Sequence, residues 1–67
     1  MTPQEKLRQA ISTDEGKRQY IAAIGPAQAE GIEAYHAAKA RGVKSAEARR
    51  IGEAAKDQAL LKAMGYE

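Results

Sequence analysis

Sixty-seven residues with no cysteine make one small domain without a disulfide framework or a thiolate metal site. A formal charge of only +2 at pH 7 excludes a strongly polyanionic or polycationic chain. The charge is uneven: residues 1–34 sum to about −1 and residues 35–67 to about +3, with most of the basic excess in "KARGVKSAEARR", residues 39–50. No long uncharged apolar run suggests a membrane span, and the N-terminus shows no secretory h-region, so we expect a cytoplasmic protein with no membrane contact.

Alanine, glutamate, lysine, glutamine and arginine dominate, and no β-branched alternation occurs, so the expected class is all-α with three or four helices in a single domain, 1–67. In chain order, "TPQE" sets Thr2 as N-cap with Pro3 at the first helical position, opening a helix over about 3–11. "STDE" at 12–15 reads as a second capping box, opening a helix over about 13–24 that "GP" would stop. The two segments could instead run on as one helix through Gly16, at a cost of roughly 1 kcal/mol relative to alanine. Pro26 would open a third helix, about 26–41, closed by Gly42 at C′. Ser45 would cap a fourth, about 46–64, with Gly65 after it.

The third and fourth helices share one pattern. Ala27, Gly31, Ala34 and Ala38 are spaced 4, 3 and 4 apart, and so are Ala48, Gly52, Ala55 and Ala59. Steps of three and four stay on one helix face, so each helix carries a face made only of alanine and glycine. Two such faces joined by the short "GVKS" connection predict a close-packed antiparallel hairpin over about 26–64. Val43 would cover the end of the third helix.

Leu60, Leu61 and Met64 lie opposite that small face, and Tyr66 extends them. Either the N-terminal helices cover them, or they form a protein-contact surface with Arg49 and Arg50 as polar rim. On the second reading the partner is a larger protein or a second copy in a homodimer.

Residues 34–53 can be laid on a helix-turn-helix, with Ala38 at the small position, Gly42 and Val43 at the turn, and Ala48 and Ile51 on the inner face. In this the stretch resembles the generic motif of DNA-binding repressors, and the resemblance covers about twenty residues. It departs at Arg41, where the motif is usually apolar, and in a second helix about twice the customary length. The resemblance implies nucleic acid as the alternative partner, met by Lys39, Arg41, Lys44, Arg49 and Arg50.

Catalytic chemistry is nearly missing from the sequence. "EAYH", Glu33 to His36, has the Glu-x-x-His spacing of di-metal bundles, but His36 is the single histidine and falls with Glu30 and Glu33 away from the small face. The serines lack a base with an orienting acid, and the glycines form no phosphate loop. The expectation is therefore a non-catalytic binding protein with no cofactor and no metal. By analogy it is a regulator or inhibitor of the phage or mobile-element type.

Overall fold

A computed structural model describes residues 2–66, leaving Met1 and Glu67 outside the described residues. It contains three helices: α1 (Pro3–Ala10), α2 (Asp14–Ala40) and α3 (Ser45–Ala63). Among the described residues there is no strand, so the all-α expectation holds. α2 alone, at about 1.5 Å per residue, accounts for the long axis of a molecule measuring 40 × 23 × 17 Å.

α1 begins as the sequence predicts, with Thr2 Oγ1 accepting from the Glu5 amide at 3.2 Å. It ends at Ala10, so α1 and α2 are separate. The second cap sits one residue later than the "STDE" reading puts it. Thr13 is the N-cap and its Oγ1 accepts from the Gly16 amide at 3.0 Å, while Ser12 Oγ donates back to the Gln9 carbonyl at 2.6 Å. Gly16 is there for space: a Cβ would fall on the Ala10 carbonyl oxygen, where the end of α1 presses against the first turn of α2.

Gly25–Pro26 does not stop the helix; α2 runs through it to Ala40. Two facts explain the difference. A residue before proline is normally pushed out of the helical region partly by its Cβ, and glycine has none. Ala22, whose carbonyl loses its helical partner to Pro26, is exposed, so water can satisfy it. Packing on both sides of the proline holds the two halves in line: Tyr20, Ala23 and Ile24 before it and Ala27 after it join one cluster with Leu60, Leu61 and Met64.

Both predicted glycine stops are present. Gly42 has φ 87°, with Val43 N–H donating to the Ala38 carbonyl at 3.1 Å and Gly42 N–H to Lys39 at 3.0 Å. Gly65 has φ 85°, with Tyr66 N–H donating to Leu61 at 2.9 Å and Gly65 N–H to Lys62 at 3.1 Å. Each is the paired 6→1 and 5→2 arrangement that closes a helix on a left-handed glycine. Ser45 is not the cap of α3. Lys44 holds that position without a side-chain bond, and Ser45 Oγ accepts from Lys39 Nζ at 2.9 Å.

α2 and α3 pack along their length. Near the closed end Ala38 and Ala48 are fully buried. At the middle the backbones touch: a Cβ on Gly31 would lie 2.9 Å from the Gly52 carbonyl oxygen, and one on Gly52 would lie 2.8 Å from the Gly31 oxygen. Toward the open end Ala23 and Ala27 line one cleft with Ala59 and Ala63. Advancing along α2 thus means retreating along α3, which makes the pair an antiparallel hairpin built on the Ala/Gly faces.

The interior changes character along the hairpin. At the closed end the fully buried side chains are small, Ala38 and Ala48, with Tyr35, Val43 and Ile51 only partly buried. At the open end α1 lies against α3, and Leu7, Ala10, Ala27, Leu60, Leu61 and Met64 form a core flanked by Ile11, Tyr20 and Ile24.

Asp57 is the one buried charged side chain among the described residues. Burial raises its pKa above the ordinary 3.8, Lys56 opposes that rise, and Glu53 adds to it. The folded state therefore holds the Asp57 proton more tightly than the unfolded chain does. Its contribution to stability is most favourable below 3.8 and falls as pH rises through the raised value. Asp57→Asn is expected to raise the melting temperature by a few degrees at pH 7 and to leave it unchanged near pH 3. Thermal melts of both chains at the two pH values check this; an equal shift at both would show that the ionised form carries no cost.

Candidate interaction surface

The first group to locate is Leu60, Leu61, Met64 and Tyr66. Leu60, Leu61 and Met64 are 1%, 0% and 6% exposed, covered by α1 and by Tyr20, Ala23 and Ile24 of α2. They are the core of the chain and not a docking surface, which corrects the contact reading of these residues. Tyr66 is half-exposed at the close of α3. Arg49 and Arg50 are exposed on the first half of α3, away from that core. The predicted contact set is therefore not brought together.

The basic residues are all at the surface. Lys39, Arg41, Lys44, Arg49 and Arg50 are exposed around the closed end of the hairpin. The ion pair found among the described residues lies elsewhere, between Lys56 and Glu53 at 3.0 Å. Their frame is not a helix-turn-helix. That motif crosses its helices at roughly 90–120°, whereas α2 and α3 run antiparallel over about four turns. Glu30, Glu33 and His36 are exposed, with the His36 ring edge-on to Tyr35 at 5.3 Å and 75°.

The unexpected surface is on α2. Ile21 is 70% exposed and Ile32 is 59% exposed. Eleven residues is close to three turns, so the two isoleucines stand on one side of the helix, about 16 Å apart. Gly25 and Gln28 lie exposed between them, and a Cβ on Gly25 would meet nothing within 4 Å. Beside Ile32 a groove opens toward α3, lined by Gln28, Tyr35, Arg49, Glu53 and Lys56. Compared with protein-family models, curated proteins and solved structures, the chain matches none of them. What the surface can do rests on its own chemistry.

Composition alone does not find this face, because Ile21 reads as core material beside Ile24. The signal is angular. At about 100° per residue, Tyr20 and Ile24 lie within roughly 50° of the Ala27–Gly31–Ala34–Ala38 face, and Ile21 and Ile32 lie roughly 110–130° from it. Once that face belongs to α3, the two isoleucines are left outside. No helix of the described residues is long and apolar enough to cross a membrane.

Proposed function

We propose that the chain is a small non-catalytic binding protein that works by docking on another protein through the outer face of α2. The observation that carries this reading is the exposure of Ile21 and Ile32. A chain whose core holds few large apolar side chains leaves two isoleucines in water, aligned on one helix. Aligned apolar anchors on a surface helix are what a helix-in-groove contact uses. A regulator or inhibitor of a larger macromolecule, of the kind phages and mobile elements encode, fits this size and surface. The lack of cysteine suits the cytoplasm.

Selection of a displayed library of amphipathic helical peptides on the immobilised protein tests the reading. Binders are expected to lose at least tenfold in affinity for Ile21→Asp/Ile32→Asp. Binders indifferent to that double variant would refute it.

A second reading, nucleic-acid contact by the closed end, draws on the five exposed cations there. It predicts micromolar binding of random duplex DNA at about 50 mM salt that falls steeply by about 200 mM. No binding at the lower salt ends it.

A further inference from the structure

We infer that the occupant of the outer face of α2 is a second copy of the same helix, running antiparallel; this rests on the docking reading above and names its partner. The face that carries the two isoleucines runs the length of α2. Spacings of 4 and 3 alternate without a break from Asp14 through Arg18, Ile21 and Gly25, and on through Gln28, Ile32, Tyr35 and Lys39. These positions make one seam along the full length of α2, with Ile21, Ile32 and Tyr35 as its large apolar members and polar residues at both ends. Seven of these positions are exposed and Tyr35 is half-buried.

The seam is complementary to itself when reversed about its midpoint, between Gly25 and Gln28. Ile21 then faces the second copy's Ile32. Gln28, a long side chain, faces Gly25, which offers open space. Arg18 faces the ring of Tyr35, a cation over an aromatic. Asp14 faces Lys39, opposite charges at each end. Along the solvent flank Ala22 faces Ala29 and Glu15 faces His36, so the close approach meets small side chains at the centre and polar ones at the rim. The hydrogen bond from Lys39 to Ser45 is exposed and gives way without leaving a buried group unpaired. A surface complementary to itself under reversal is the signature of an isologous contact.

The experiment is sedimentation of the full chain from micromolar to millimolar concentration, with helicity recorded for every variant. The wild type is expected to form dimers. Ile32→Asp is expected to be monomeric with its helicity kept. Lys39→Glu is expected to weaken the dimer at least tenfold, as is Asp14→Lys, and the double variant Asp14→Lys/Lys39→Glu to restore it. Within one chain Asp14 and Lys39 stand about 38 Å apart at 1.5 Å per residue, so rescue can only arise between chains. A wild type that stays monomeric at millimolar concentration overturns the dimer; if selected peptides still need Ile21 and Ile32, the docking reading survives it. Dimers that persist in Ile21→Asp/Ile32→Asp also overturn this proposal. The docking reading falls separately, when peptides bind that variant as they bind the wild type.

Discussion

Gly52→Val is expected to destabilise the hairpin by a large share of its total stability. The Cβ alone would stand 2.8 Å from the backbone oxygen of Gly31 and 3.3 Å from the Tyr35 Cβ. The nearer atom is backbone, so relief requires that α2 and α3 move apart. Separation also opens the fully buried Ala38 and Ala48 to water, since both lie between the same two helices. Overpacking of this kind costs about 1–3 kcal/mol, and two γ-methyls with nowhere to go place it at or above the upper end. A domain of this length has a total stability of about 3–10 kcal/mol. Ala54→Val, on the exposed side of the same helix, is the control and should lose only a few tenths of a kcal/mol. Urea titrations followed by circular dichroism separate the two; equal midpoints would mean that the backbones are not in contact.

Leu61→Ala is expected to be nearly as damaging, for the opposite reason. Leu61 is fully buried with Leu60 in the cluster that joins α1 to the hairpin. Truncation leaves a cavity in a core with few large side chains to collapse into it, and such changes cost about 2–5 kcal/mol. Leu61→Asp, which would spare a docking residue's fold, should instead abolish folding, because it buries a carboxylate without a partner. Thermal denaturation of both variants gives the answer. A Leu61→Asp chain that keeps wild-type helicity and melting temperature would place Leu61 at the surface.

These two residues also mark where the sequence is easy and hard to read. The Ala/Gly seam is legible because it is a local regularity repeated on two helices, and spacing alone specifies which faces meet. The glycine stops at Gly42 and Gly65 are legible for a similar reason: left-handed backbone favours one residue type. Helix starts are off by one at Ser12 and at Ser45 because each serine hydroxyl is engaged elsewhere: Ser12 Oγ donates back to the Gln9 carbonyl and leaves the Gly16 amide to Thr13, and Ser45 Oγ accepts from Lys39 Nζ. Gly25–Pro26 misleads because local preference and tertiary packing disagree there, and packing along α3 wins. Leu60, Leu61 and Met64 are undecidable from their own helix. Whether an apolar patch is core or contact depends on where α1 is laid, and the turn at 11–13 sets that through the close approach at Gly16. Ile21 and Ile32 become conspicuous only after every other large side chain has been given a place.

The reciprocal approach of Gly31 and Gly52 has an evolutionary corollary. Each glycine leaves room for the other's carbonyl, so the first added methyl must wedge the helices open by a few tenths of an ångström. Once they are open, the facing methyl enters space already made. The losses should therefore not add: the second substitution costs less than it would alone, and the single variants are the worst points on the path. A lineage that holds both glycines is penalised for leaving by either one, while a lineage that has lost both has little reason to return. The seam would then change by paired replacement, and drift along it would be blocked one residue at a time.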